Sequence, residues 1–361
     1  MSTWRAVRMW WLEPTDYDWL LSTLRYHSAL NLVKSLIGMS GLGLSVVGTM
    51  LLLSAEGPQH APGRAAIGVI AIISVLMALR WLVLPWPTVS ASLGSMVVAD
   101  VAITTVCLLV TSRVAMLNIT TLILTGGYIT VFHSAKILAA HAGWALFSVL
   151  IVMIRMIAAD SDRNIPLAVA TTLIMVLAVV FVLPALQFVF WVLRTDALSD
   201  PLTTLLNRRG LDYHLPRLFQ SGPPTCAMII DLDRFKVVND TFGHQEGDRV
   251  LARTAARLRA TVGPAATIAR TGGEEFTIID HLDAASARAL AERLRHAVED
   301  STEVTVPVTV SIGVAVCEHA TADERCLPSE RLLACADQAM YQAKEQGGNA
   351  VSLRELRQPL P

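Results

Sequence analysis

The chain has 361 residues, with 29 Lys and Arg against 30 Asp and Glu, and 53% of its residues are hydrophobic. That length exceeds one typical soluble domain and leaves room for two units, while a net charge of −1 carries no polyanion-binding signature, so nucleic acid is not an expected partner. All eight Trp lie at or before Trp191 and charged residues crowd the part after Arg194, which divides the chain into an apolar and a polar half.

Residues 1–28 carry Trp4, Trp10, Trp11 and Trp19 among Arg5, Arg8 and several acids. Flat amphipathic rings and long charged stems favour the headgroup boundary, so this reads as an amphipathic segment lying on the cytoplasmic leaflet. No cleavable signal peptide is expected, because the first long apolar run begins only near Ala29.

Residues 29–195 hold six apolar stretches: Leu30–Leu53, Ala66–Leu84, Met96–Val110, Ala115–Phe132, Ile137–Ala158 and Pro166–Val192. Most reach the ~20 residues that a hydrocarbon core requires, which predicts an all-α transmembrane bundle. The third is short. Arg5, Arg8, Arg25, Lys34, Lys136 and Arg194 fall on one side and Arg64, Arg113 and Arg163 on the other, placing both termini in the cytoplasm. Asp100, His133, Lys136 and His141 are costly in lipid. Asp100 with His133 forms one candidate ligand- or proton-sensing site; interfacial placement of His133, Lys136 and His141 is the alternative.

No Gly/Ser linker separates the halves, so the connection is expected to be stiff. Asp200-Pro201 has the chemistry of a helix start, an acidic cap followed by a residue with no N–H to leave unpaired. Periodicity over 196–361 then predicts helix Pro201–Phe219, strand Cys226–Asp231, helix Val237–Val262, strand Thr267–Arg270, strand Phe276–Ile279 and helix Ala284–Ser301. A strand Thr305–Cys317, a helix Ser329–Glu345 and a short strand Ala350–Leu353 complete it. The middle is β-α-β-β-α-β, an α+β ferredoxin-like order with an antiparallel sheet and helices on one face, as in polymerase palms and nucleotide cyclases.

Gly272-Gly273 between two β-rich runs reads as a two-residue hairpin turn at positive φ. It holds Glu274 and Glu275 at the end of the sheet, where they can converge with Asp231 on a hard divalent cation that also takes substrate phosphates. The five Cys (Cys107, Cys226, Cys317, Cys326 and Cys335) show no close pair and are expected to be reduced and non-ligand.

Six motifs in register carry a resemblance: Asp200-Pro-Leu-Thr-Thr-Leu-Leu-Asn-Arg-Arg209, Asp231-Leu-Asp-Arg-Phe-Lys-Val-Val-Asn-Asp240, Phe242-Gly-His-Gln-Glu-Gly-Asp248, Gly272-Gly-Glu-Glu-Phe276, Ser311-Ile-Gly-Val-Ala315 and Ala339-Met-Tyr-Gln-Ala-Lys344. Together they resemble the GGDEF family of diguanylate cyclases over the whole polar half. The resemblance implies condensation of two GTP into cyclic di-GMP and two pyrophosphates across a homodimer, each 3′-oxygen attacking the α-phosphorus of the other nucleotide. It also implies two Mg²⁺ ions per site, or Mn²⁺ in their place, held by Asp231, the Leu232 carbonyl and Glu274.

By the same resemblance Glu274 or Glu275 takes the 3′-hydroxyl proton, and Asn239 and Asp248 read guanine, with His244 in the same pocket. Lys236 and Lys344 neutralise phosphate, Arg270 stabilises the transition state, and Gly272 and Gly273 line the nucleotide. It implies a multi-pass protein of a bacterial inner or plasma membrane with a cytoplasmic catalytic domain. No phosphodiesterase domain is expected, since the chain ends within a few residues of the last strand.

Two positions depart from the family pattern. Gly263-Pro-Ala-Ala266 stands where many relatives have an Arg-x-x-Asp product-inhibition site, and Gly348 stands where many have a phosphate-binding Arg. Gly348 keeps open a second reading, a GTP-binding scaffold without turnover. A transporter or receptor with an incidental soluble tail is a third.

Overall fold

The computed structural model describes residues 3–13, 17–158, 164–219, 225–299, 306–317 and 329–356. The chain splits into two compact units between Val192 and Leu193. The expected beginning of a strand at Thr305, together with Arg163 and Cys326, lies outside the described residues.

The first unit is helical: α1 (Thr3–Leu12), α2 (Tyr17–Tyr26), α3 (Leu30–Leu53), α4 (Ala61–Val83), α5 (Val89–Leu109), α6 (Ser112–Asn118), α7 (Leu122–Phe132), α8 (Ala135–Ala158), α9 (Ile165–Val176) and α10 (Leu183–Ala197), the last running into the second unit. Among the described residues six helical runs are long and apolar enough to cross a membrane. The third is longer than its apolar core suggests. Thr88 caps it by accepting the Ala91 N–H, so the polar residues from Val89 onward are also helical. The fourth joins α6 to α7 through a 3-10 turn at Ile119–Thr121, and the sixth carries a π-helical turn at Leu177–Val182.

Large apolar side chains such as Leu36, Ile72, Phe147 and Phe181 are exposed on these spans, whereas the polar groups turn inward, as lipid solvation demands. Asp100 Oδ2 lies 2.8 Å from His141 Nδ1, and Asp100 Oδ1 accepts from Thr125 Oγ1 at 2.5 Å. His133 is not in this pair: its Nε2 lies 3.1 Å from Ser92 Oγ, which also bonds the Tyr128 hydroxyl at 2.6 Å. Asp100 is therefore matched with His141 and not with His133, and both histidines are buried within the bundle. Only Lys136 of that set is exposed. The reason is positional, since α8 starts at Ala135 and six residues of helix carry His141 roughly 9 Å inward. Arg155 donates to the carbonyls of Cys107 and Val110, covering the C-terminal end of α5.

The second unit contains β1 (Leu206–Asn207), α11 (Arg208–Leu218), β2 (Thr225–Leu232), α12 (Phe235–Phe242), α13 (His244–Thr261), β3 (Thr267–Arg270), β4 (Glu275–Asp280), α14 (Ala284–Glu299), β5 (Val310–Cys317), α15 (Ser329–Glu345) and β6 (Val351–Leu356). Its sheet runs β1-β3-β4-β2-β5-β6. The inner four strands pair antiparallel, but β1 and β6 run parallel to β3 and β5, so the sheet is mixed at its edges rather than wholly antiparallel.

Every residue of β2 and β5 is buried because both faces are covered. Met228, Ile230 and Leu232 pack with Leu251 of α13 and Leu294 of α14, while the alternating Ala227 and Ile229 pack with Leu215 of α11 and Met340 of α15. Helices on one face only, as the periodicity suggests, would leave half of these side chains in water. Gly313 of β5 lets α15 approach: a Cβ there would lie 2.0 Å from the Met340 nitrogen and 2.1 Å from the Ala336 carbonyl oxygen.

Three local expectations are revised. Asp200 does not start a helix; its Oδ1 accepts the Thr203 N–H and hydroxyl at 2.8 and 2.7 Å, closing a turn. The helix begins at Arg208, where Asn207 Oδ1 accepts the Gly210 N–H at 2.9 Å and acts as the cap. The single helix Val237–Val262 is broken at Gly243, whose φ is +81°. Gly272 and Gly273 do not take positive φ, since the glycines that do so among the described residues are Gly243, Gly347 and Gly348. The loop comprises Thr271 to Glu274 and is closed by the Thr271 N–H to the Glu275 carbonyl at 3.0 Å, so it lacks the backbone demands of a two-residue turn.

Two stability predictions arise here. Gly313→Val should force α15 off the sheet and lower stability by about 1–3 kcal/mol, read as a fall in the thermal midpoint of the purified full chain; an unchanged midpoint would count against the close approach. Burial opposes ionisation of Asp200, but the hydrogen bonds from Thr203 and the Arg270 guanidinium outweigh it and hold the carboxyl below the usual range. A depressed folded pKa gives stability that is full above the unfolded pKa and lost as pH falls through the folded one. Asp200→Asn should therefore cost about 1.5–3 kcal/mol at pH 7, with the gap to wild type closing on acidification below the ordinary carboxylate pKa of about 3.9.

Candidate active site

Strand alternation decides which side chains meet. Since Met228, Ile230 and Leu232 face one core, Asp231 and Asp233 project to the α15 side of the sheet end. Lys344, near the C-terminus of α15, reaches back so that its Nζ lies 2.7 Å from Asp231 Oδ1. That oxygen is buried and receives no other close partner among the described residues.

On the other side of β2, Asp231 is in register with Glu275 of β4, and the Leu232 N–H donates to the Glu274 carbonyl at 3.3 Å. Asp231, Leu232, Glu274, Glu275 and Lys344 thus collect at one end of the sheet. Burial raises the proton affinity of Asp231; Lys344 opposes this, and the charges of Glu275 and Asp233 add to it. Burial also raises Glu274, and the Asp231 charge raises it further. Glu275 differs: its Oε1 accepts the Thr271 hydroxyl at 2.7 Å, and that hydroxyl lies 2.9 Å from Thr277 Oγ1.

Asp231 is buried and Glu274 half-buried, and mutually repelled hard oxygen donors of this kind fit a divalent cation that keeps several waters and takes phosphate oxygens. Among the described residues no group of three or more His, Cys, Asp or Glu is placed to hold a metal ion.

Arg270 is committed elsewhere. Its Nη1 lies 3.1 Å from Asp200 Oδ2, and its Nε and Nη2 donate to the Gly273 carbonyl at 3.3 and 2.7 Å. It links the glycine turn to the Asp200 turn. Gly272 and Gly273 are exposed within that turn, and a Cβ on Gly272 would lie 3.1 Å from Glu275 Cβ.

Asn239, His244 and Asp248 lie around the break between α12 and α13. Gly247 lets α13 pass close to the Asn239 amide, since a Cβ there would lie 2.0 Å from Asn239 Oδ1. His244 and Asp248 are one turn apart on α13 and exposed, and Lys236 is exposed on the first turn of α12.

Asp233 was not expected to matter, yet it ties the site together. Its Oδ1 accepts the Ser311 hydroxyl at 2.7 Å; its Oδ2 accepts the Thr309 hydroxyl at 2.6 Å and the Asn349 N–H at 2.8 Å. The Asp-x-Asp spacing was the available signal, since i and i+2 share a strand face. Gly348, with φ +78°, lies against this carboxylate, and a Cβ there would be 3.0 Å from its Cγ and Oδ1. Any side chain at 348 would be strained twice, by φ and by space.

Residues 197–350 match the model of the diguanylate cyclase GGDEF domain. The chain is 38% identical over 174 residues to the Probable diguanylate cyclase DgcT of Escherichia coli, covering 46% of this chain and 37% of that protein. It is 44% identical over 166 residues to the Response regulator PleD of Caulobacter vibrioides, covering 43% and 36%. The coiled coil and GGDEF domain of DgcB from Caulobacter crescentus, solved in complex with c-di-GMP, is similar with 30% identity and a TM-score of 0.42, over 47% of this chain and 93% of that one. The chain spans little more than a third of the length of these two curated relatives. Residues 197–350 are a GGDEF domain with diguanylate cyclase homologues, and they follow a unit with six helices of membrane-spanning character.

Proposed function

We propose that this chain is a membrane-anchored diguanylate cyclase that condenses two GTP into cyclic di-GMP across a homodimer, with a cytoplasmic catalytic domain of ferredoxin-like order in a bacterial inner membrane. The observation that carries the reading is the meeting of Asp231 and Glu274 at adjoining ends of β2 and β4, both with raised proton affinity.

In this reading Asp231, the Leu232 carbonyl and Glu274 would hold Mg²⁺, which when bound supplies charge neutralisation at the triphosphate. Lys344 compensates Asp231 before substrate arrives and can turn to a phosphate afterwards. Glu274 is favoured over Glu275 as proton acceptor, because the Glu275 carboxylate is already bonded to the Thr271 hydroxyl. Asp248 and Asn239 read guanine: a carboxylate accepts from the ring N–H and amino group together, a donor pair that adenine lacks. Lys236 and His244 stand exposed near the same helix break. Arg270 acts through the turn that it holds.

The test is the purified full chain with Mg²⁺ and GTP, assayed for cyclic di-GMP. Glu274→Ala should lose at least about a hundredfold in turnover, and chelating the metal should abolish product; equal turnover in the variant removes the proposed role of that carboxylate. Binding of GTP by wild type without any product would favour the scaffold reading that Gly348 suggests.

Product inhibition at 263–266 is not expected. The turn there, closed by the Ala266 N–H to the Gly263 carbonyl at 3.2 Å, offers no guanidinium, and Arg259 beside it is bound to Thr204. Added cyclic di-GMP should leave turnover unchanged, whereas noncompetitive inhibition that survives substitution of every other candidate site would refute this.

A further inference from the structure

The first unit contains a cavity of about 460 Å³ between α3, α4, α5 and α7. It opens beside Leu36, Val98 and Leu124, which are exposed on the spans, and reaches inward to Trp81, Met96 and Tyr128, which are buried. Gly41 packs α3 closely on Ala78 of α4, where a Cβ would lie 3.2 Å from the Ala78 Cβ, and Ala99 and Ala102 line the α5 side with short side chains.

The lining gives the chemistry of the occupant. No charged side chain contributes, so neither a headgroup nor a carboxylate is held inside. Most lining hydroxyls are already used: Ser40 donates to the Ile37 carbonyl at 2.7 Å, Ser95 to the Ala91 carbonyl at 2.9 Å, Thr125 to Asp100 Oδ1 at 2.5 Å, and Tyr128 is paired with Ser92 at 2.6 Å, which leaves the Ser74 hydroxyl and the Trp81 indole N–H as the donors open to a ligand among the described residues. A ligand rich in polar groups would lose its hydrogen bonds to solvent and find few in exchange here. The volume is about three times the ~150 Å³ that holds one benzene, which corresponds to a chain of roughly 15–18 carbons.

We propose that this cavity is a binding site for one acyl chain of a membrane phospholipid, which enters from the bilayer and leaves its headgroup at the boundary. Thr125 both lines the cavity and donates to Asp100, so the seated chain abuts the Asp100–His141 pair.

The experiment uses the purified full chain in detergent with a phosphatidylcholine that carries a photoreactive diazirine in one acyl chain, and maps the labelled residues by mass spectrometry. Saturable labelling at Trp81, Met96 or Tyr128, displaced by excess unlabelled phospholipid, is the expected result. Ala99→Phe, which fills the cavity, should reduce that labelling by at least about tenfold, while Val46→Phe on an exposed position outside the cavity should leave it unchanged. Labelling spread over exposed residues such as Phe147 and Phe181 and indifferent to excess lipid overturns the proposal, even if Ala99→Phe does not fold. So does displacement by free fatty acid but not by phospholipid. Disulfide-linked dimers of Ala99→Cys without lipid labelling would assign the cavity to a second copy instead.

Discussion

A carboxylate at the end of a strand that is buried on both faces must be compensated, and Asp231 is where the second unit meets that demand. A buried carboxylate left without a counter-charge is costly, and the half-exposed Lys344 ammonium at 2.7 Å supplies one. It does not fully satisfy the group: burial still leaves Asp231 with raised proton affinity, and Glu274 shares the strain through repulsion. A site poised in this way gains stability from an added cation. The electrostatics that make the sheet end uncomfortable and those that would recruit a metal–triphosphate are the same.

Backbone geometry brings the partners to that point. Gly313 admits α15 against β5, and without that approach Lys344 would not reach β2. Beyond α15 the chain takes left-handed conformations at Gly347, Gly348 and Asn349, which deliver the Asn349 N–H to Asp233. Asp233 in turn fixes Thr309 and Ser311 at the start of β5. The glycine at 348 therefore has a structural reason in this chain, and restoring an arginine there would place a Cβ against the Asp233 carboxylate.

Local patterns in the sequence carried the element order of the second unit, the six apolar spans, and the convergence of Asp231 with the Glu274 turn. They did not carry partners that lie far apart in sequence. Asp200 has the composition of a helix cap, but Arg270, 70 residues on, and Thr203 draw it into a turn, and the cap falls to Asn207. Nothing near Arg270 in the sequence signals that it bonds both the Gly273 carbonyl and Asp200. Helices on both faces were hidden because β2 reads as a continuous apolar run, and such a run does not say how many layers cover it. In the spans, Asp100 and the histidines were recognisable as buried polar groups, but helical rotation and packing chose His141 over His133.

The two units solve one problem, polar atoms away from water, with different outcomes. In the second unit Asp231 Oδ1 at the sheet end has Lys344 alone against it, and Thr254 Oγ1 is left without a partner among the described residues. In the first unit Ser92, Thr125, Tyr128 and Asp100 satisfy one another, and what is left over among the described residues is His141 Nε2 and Gln187 Oε1. A cavity whose lining carries no charge and few open donors offers a visitor mainly shape and apolar surface. It should therefore select by length and width of hydrocarbon rather than by charge, the reverse of the rule that governs the sheet end.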